Sequence, residues 1–416
     1  MLPSLTLLST GPPAKATKLD GGAQLPPTTT DQFGEMLDDL KEVIVKMITS
    51  SELPAQKRED ASFRICGINR AFLAVCKGLG ISSWGELFTF LGWKLDWNTG
   101  LTPREYLQMM NGLTKEQQTK FLLLKENTVS IESNAFKDFT SLALKALPPK
   151  IIKIYPRAFR NCTSLALTAL PAGLRAIYGG AFLGCLNLVL TTLPKGVTLI
   201  ESYAFWGCIK LKLTALPEGI TAINVCTFAD CHQMALTALP DGVTTIGSHS
   251  FQGCTSLALK ALPEGVTTIR DNAFQNCRNL MLKELPAGIT EIDDGAFGGC
   301  RSLMLETLPE GITEIGDTAF YGCTSLILKA LPDGITEIGE NAFSGCTSLI
   351  LEALPEGITD IGNNAFAGCI GLKLTALPTT LQFIGDGAFF RCTHLPVDLQ
   401  DAIKRLNLHA FDRIID

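Results

Sequence analysis

The sequence specifies a β-rich repeat solenoid of short parallel strands, preceded by a small all-α domain. The first observation behind this is a period of 23 residues, since Phe136, Phe159, Phe182, Phe205, Phe228, Phe251, Phe274, Phe297, Phe320, Phe343, Phe366 and Phe389 fall on it without insertion or deletion. Cysteines follow in step from Cys162 to Cys392, with Phe139 in the first unit's slot. A fixed period of 20 to 50 residues marks stacked repeats. The second observation is that one unit, such as "LILKALPDGITEIGENAF", alternates apolar residues and then turns. The third is helical apolar spacing ahead of the repeats. With 46% hydrophobic and 18% charged residues, the chain of 416 can bury a sizeable core.

In chain order, residues 1–30 read as a flexible tail, because Pro and Thr crowd them and no basic stretch precedes the short apolar run. Residues 31–126 read as a helical domain. Met36, Leu37, Leu40, Val43, Ile44 and Met47 carry helical spacing, and Phe63 to Leu79 forms a second apolar helix. Capping boxes at Ser83 with Glu86, Thr102 with Glu105, and Thr114 with Gln117 mark helix starts. One role for this domain is to cover the open first rung of the solenoid.

The solenoid proper spans residues 128–392. Leu326, Leu328 and Ala330 have the alternation of a short strand; Pro332 and Gly334 set a turn; Ile335 and Ile338 lead to Ala342-Phe343; and Gly345-Cys346 turns the chain back. One unit cannot bury its apolar face alone, so neighbours complete one another's core. The phenylalanines stack as a spine with rungs about 4.8 Å apart. The cysteine column reads as buried free thiols, because parallel side-chain vectors oppose disulfide geometry, and an unpaired column suits a reducing, cytoplasmic compartment. Residues 393–416 form a degenerate C-terminal cap: Pro396, Asp398 and Gln400 interrupt the rhythm, and Ala410-Phe411 returns one residue early.

Units that read roughly as Leu, then Pro, then Ile-Gly, then Ala-Phe, then Cys-x-x-Leu resemble the leucine-rich repeats of the treponemal or BspA-like type, from Thr128 to Phe411. That resemblance implies a protein-binding solenoid, and the family includes surface adhesins as well as intracellular proteins. The chain departs from it at Leu326 and Leu328, where the family more often spaces apolar residues three apart. The segments "LDDLKEVIVKMI" and "SFRICGINRAFLAVC" resemble an F-box, matched by Leu37, Leu40, Val43, Ile44, Ile48, Ile65, Cys66, Arg70 and Phe72. Asp38 stands where that module has proline, and the link between the halves is longer. This second resemblance implies docking to the adaptor subunit of a cullin-based ubiquitin ligase.

Catalytic chemistry finds little footing. Four histidines, His232, His249, His394 and His409, lack evident partners, and no phosphate-binding or dinucleotide glycine fingerprint occurs. Cys226, Cys231 and His232 have ligand chemistry, but Cys231 belongs to the column and the spacing fits no zinc module. Asn161-Cys162-Thr163 is formally a glycosylation site inside a conforming repeat. The expectation is therefore a non-enzymatic scaffold with no cofactor or metal. The net charge of −6 argues against nucleic acid, and no run of about 18 uncharged apolar residues is present to insert in a membrane.

Binding belongs to slots free of core duty. If the leucines of Leu-x-Leu face inward, Met281, Met304, Ile327 and Ile350 form an exposed apolar stripe flanked by Lys283, Glu306, Lys329 and Glu352; the alternative buries that column against a second layer. Residues 281–370 carry 3 Lys and Arg against 14 Asp and Glu, net −11, whereas residues 141–230 carry 9 against 3, net +6. Glu291, Glu314, Glu337 and Asp360 share one slot in consecutive units. Four carboxylates in a row repel by up to ~1 kcal/mol per neighbouring pair. They read as a solvated face or as the dock for a basic partner or a cation.

Overall fold

The computed structural model describes residues 99, 109–110 and 112–413. The tail, the F-box-like residues and the capping boxes at Ser83 and Thr102 lie outside them. The helix α1 (Lys115–Leu122) begins with the reciprocal bonds of a capping box, Thr114 N–H to Gln117 Oε1 at 3.0 Å and Gln117 N–H to Thr114 Oγ1 at 3.2 Å. Ahead of it, the Thr99 carbonyl accepts the Lys145 and Ala146 amides, both at 3.1 Å, and so occupies an acceptorless edge of the first rung.

Each following rung contributes one two-residue strand: β1 (Ser130–Ile131), β2 (Lys153–Ile154), β3 (Ala176–Ile177), β4 (Leu199–Ile200), β5 (Ala222–Ile223), β6 (Thr245–Ile246), β7 (Thr268–Ile269), β8 (Glu291–Ile292), β9 (Glu314–Ile315), β10 (Glu337–Ile338), β11 (Asp360–Ile361) and β12 (Phe383–Ile384). All pairs are parallel and in register at 23 residues, as in Glu337 opposite Asp360. In every strand the Ile points inward and is buried.

This corrects the strand position expected from Leu326, Leu328 and Ala330. Leu326 and Leu328 are buried and Ala330 is exposed. The segment makes isolated inter-rung bonds, such as Met304 N–H to Leu282 O at 3.1 Å, which lengthen to 3.5 Å at Lys329 N–H to Glu306 O. The cause is the proline two residues after Ala330, which has no N–H to continue a ladder and bends the chain away.

The ladder is interrupted twice, giving sheets of four (β1–β4), three (β5–β7) and five (β8–β12) strands. Both breaks fall at the residue after the strand. There a backbone N–H normally reaches the preceding isoleucine carbonyl, as Gly247 does to Ile223 at 2.8 Å. At Asn224 the side-chain Nδ2 takes the Ile200 carbonyl instead, at 2.7 Å. At Asp293 the carboxylate pairs with Arg270 at 3.5 Å, and the partly buried position pushes its carboxyl up from the ordinary aspartate range.

The spine forms as the period requires. Successive rings from Phe136 to Phe389 lie 5.3–5.8 Å apart, tilted by only 2–17° from one another. Those distances are offset stacking rather than face-to-face contact. The cysteine column has a partner of its own. Each of the eleven thiols from Cys162 to Cys392 donates to the carbonyl of the preceding rung's Phe, as Cys300 does to Phe274 at 3.1 Å. The chain closes with α2 (Val397–Leu406), which buries Leu399 and Ile403 where another rung would lie. Ala410 O then accepts Phe389 N–H at 2.8 Å, and Asn407 Nδ2 satisfies the edge carbonyl of Ile384 at 2.9 Å.

Candidate interaction surface

The apolar column stands outward. Met281, Met304, Ile327 and Ile350 are half-buried, each shielded by its rung neighbours, while the flanking leucines are fully buried. The next slot outward holds exposed Lys283, Glu306, Lys329 and Glu352, and Lys329 Nζ sits 3.5 Å from Glu306 Oε2 across adjacent rungs. That one pair links two rungs of the rim, and an exposed pair adds little stability.

The four acids stand in a true ladder, because β8 to β11 place Glu291, Glu314, Glu337 and Asp360 opposite one another in register. The strand spacing is about 4.8 Å. Glu291, Glu314 and Glu337 are exposed, and among the described residues none of the four carboxylates is in an ion pair. Asp360 is half-buried and accepts the Thr359 hydroxyl at 2.5 Å. Stripe and ladder occupy different segments of each rung. Between Ile327 and Glu337 the chain passes the Leu331-Pro332 corner, so the acids lie on the strand and the apolar stripe does not.

The candidate metal residues are employed separately. Cys231 Sγ bonds the Phe205 carbonyl at 3.2 Å, His232 Nδ1 lies 2.9 Å from Gly253 O, and Cys226 occupies a turn with φ +52°. Burial lifts every column thiol out of its usual range, Cys323 and Cys392 to about 12, so these sulfurs stay protonated. Asn161, of the formal glycosylation site, donates to Asp138 at 2.8 Å.

The sequence reading missed the turn face. The chain takes positive φ twice per rung, two residues before and two after each spine Phe, as at Asn341 (54°) and Gly345 (76°). Glycine and asparagine suit those slots, yet Arg157, Tyr203, Cys226 and His249 fill the first one in the basic half. The second slot is glycine at Gly184, Gly207 and Gly253 and again at Gly299, Gly322, Gly345 and Gly368, and along the later run lies a trough of about 730 Å³ lined also by Arg301, Tyr321 and Arg391. Large apolar side chains are exposed in both halves, Leu186, Tyr203, Trp206 and Val225 at 37–40% in the earlier rungs and Tyr321 at 53% and Ile370 at 46% in the later ones.

Among the described residues no helix is long and apolar enough to cross a membrane. No curated protein matches the chain. Among solved structures, a leucine-rich repeat protein from Bacteroides ovatus is 27% identical over 70% of this chain and 86% of its own, with TM-score 0.43. A leucine-rich cell surface protein from Faecalibacterium prausnitzii is 28% identical over 69% and 87%, with TM-score 0.47. The model of the BspA type leucine-rich repeat region matches residues 114–235, 175–304, 233–350 and 300–415, which together take in most of the described solenoid. The chain belongs to the BspA-type leucine-rich repeat family.

Proposed function

We propose that the protein is a non-enzymatic interaction module whose acidic half captures a protein partner carrying a basic surface. The observation that carries this reading is the in-register ladder of Glu291, Glu314, Glu337 and Asp360, none of which is in an ion pair among the described residues. Parallel pairing fixes like charges at strand spacing, where they repel; a cationic surface laid along the ladder relieves that repulsion and is steered to it from a distance. The half-buried Met281, Met304, Ile327 and Ile350 supply apolar area on the neighbouring segment of the same rungs. The column of buried, protonated thiols suits a reducing compartment, so the module is assigned to the cytoplasm.

Affinity capture with the full chain, against the Glu314→Lys, Glu337→Lys variant, tests the reading. The expected result is a partner retained by the parent and eluted by moderate salt, with association slowed in the variant. Capture that ignores both the charge reversal and salt overturns it. If the partner is the ubiquitin-ligase adaptor implied by the F-box-like segment, its capture survives the reversal and is lost on deleting residues 31–98.

A further inference from the structure

We infer that the partner segment bound by the acidic strands ends its basic run in a large apolar side chain, which seats on an exposed apolar group formed by Phe383 and the C-terminal cap. This deepens the reading above and rests on it. The first position of each strand, next to the buried Ile, holds no aromatic residue from β1 to β11, and in β12 it holds Phe383. Parallel pairing sets Phe383 opposite Asp360, so it stands next in line after Glu291, Glu314, Glu337 and Asp360. It is 53% exposed.

A lone exposed apolar residue is ordinary, but this one has company. No strand follows β12 among the described residues; α2 packs there instead, and Asn407 Nδ2 bonds the Ile384 carbonyl at 2.9 Å, in the place a further strand would take. The residues on either side of Asn407, Leu406 and Leu408, are 48% and 71% exposed. Apolar surface is thus left uncovered where the row of carboxylates stops. Unlike the Met281 to Ile350 stripe, Phe383 lies on the strand itself, in the same column as the acids.

Charge on the two sides of this group selects the occupant. On one side stand the four acids, and on the other Lys404 and Arg405, exposed in the last turn of α2. A basic segment that ran on past Phe383 would approach those cations, so its positive charge has to stop where the apolar group begins. A uniformly basic segment leaves Phe383 and the leucines in water, and a neutral one gains nothing from the ladder. From Glu291 to Phe383 there are four strand spacings, about 19 Å, which an extended chain covers in about six residues. The occupant is therefore a short extended polypeptide segment, basic along its length and apolar at one end.

Fluorescence anisotropy at low salt, with the full chain and dye-labelled peptides blocked at both ends, tests this. The probes are Lys-Ser-Lys-Ser-Lys-Phe, the same residues in reverse order, and a form of each with Ser in place of Phe. In at least one order the Phe peptide should bind at least about tenfold more tightly than its Ser form, as an aromatic anchor in an interface does. Phe383→Ser and, separately, Leu406→Ser replace exposed side chains; each variant, once circular dichroism shows it folded, should shrink that preference while binding the Ser form as the parent does. Glu314→Lys with Glu337→Lys should weaken every peptide. Equal binding of Phe and Ser forms by the parent, or a preference that survives both single variants, overturns the apolar anchor and leaves the basic-partner reading standing. Failure of every peptide to bind, or binding indifferent to the charge reversal, overturns both.

Discussion

Phe297→Ala strikes the middle of the spine. Its ring is fully buried between Phe274 and Phe320, 5.5 Å from each and tilted by 9° and 5°. Burying a Phe side chain contributes about 1.5–3 kcal/mol, and each of two stacked neighbours adds about 0.5–1.5 kcal/mol. Together these give about 2.5–6 kcal/mol, a range that contains the ~3–5 kcal/mol of large-to-small aromatic changes in cores. The cavity cannot collapse, because backbone ladders pin the rungs on both sides: Phe297 N–H bonds Ala319 O at 2.9 Å and Phe274 N–H bonds Ala296 O at 2.8 Å. Phe411 supplies the internal control. It is half-buried, its ring is 6.2 Å from Phe389 and tilted by 36°, and Lys404 Nζ lies 5.7 Å from its centroid where a stacked ring would stand in the spine. Phe411→Ala should cost about 1 kcal/mol or less. Urea unfolding followed by circular dichroism, with hydrogen exchange to locate the loss, measures both. Equal losses at Phe297 and Phe411, or a loss under about 1 kcal/mol at Phe297, would refute the stacked-core account.

Site-resolved thiol labelling of the native protein should modify Cys226 first among the twelve described cysteines, since it is half-exposed while the column thiols are buried and protonated; urea should then release the column together. Labelling of Cys300 at the rate of Cys226 in the folded protein would contradict this. Asp293→Asn should stabilise the fold at neutral pH. The folded-state pKa is raised, mainly by desolvation, so the ionised carboxylate opposes folding above it; the penalty fades as pH falls through that value, and the difference between variant and parent should vanish in acid. A variant less stable at pH 7 would show that the Arg270 contact outweighs burial. Met304→Asp with Ile327→Asp should leave the circular dichroism spectrum unchanged, shift stability by about 0.5 kcal/mol or less each, and abolish partner capture. Unfolding of that variant would mean the column is core.

How much of this was legible depends on whether a slot serves the core. The spine and the cysteine column were readable because each rung needs the same side chain there to bury its neighbour, whereas the Leu-x-Leu register stayed open between inward leucines and a second layer until the structure buried the leucines. The strand was not readable. Leu326 and Leu328 mimic strand alternation, but Pro332 withdraws the donor a ladder needs, and the real strand is two residues long, too short to display a period. At the C-terminus, the broken rhythm announced a cap without announcing a helix, although Leu399 and Ile403 stand one helical turn apart behind Pro396. The acid row was readable as a row; its place on the strand, around the corner from the apolar stripe, needed coordinates. The trough was invisible because a glycine in a turn reports only its backbone angle.

The slot immediately after the strand explains why the two halves differ in more than charge. In the early rungs it holds Tyr155, Tyr178, Glu201 and Asn224, and Tyr155 stacks on Tyr178 at 5.1 Å. From the ninth strand onward it is always glycine, at Gly316, Gly339, Gly362 and Gly385, where an added Cβ would lie under 3.0 Å from the backbone of the preceding rung. A side chain in this slot does not by itself break the ladder, since Tyr155, Tyr178, Glu201 and Arg270 still bond the preceding rung's isoleucine carbonyl at 2.9–3.0 Å; both breaks occur where the side chain makes a contact of its own, at Asn224 and Asp293. Glycine lets the backbones close, and β8 to β12 run as one unbroken sheet. The continuous sheet is the one that carries the carboxylates. Repulsion along Glu291, Glu314, Glu337 and Asp360 opposes pairing in strands only two residues long, and the half with the heaviest like charge is also the half with the longest uninterrupted run of paired strands.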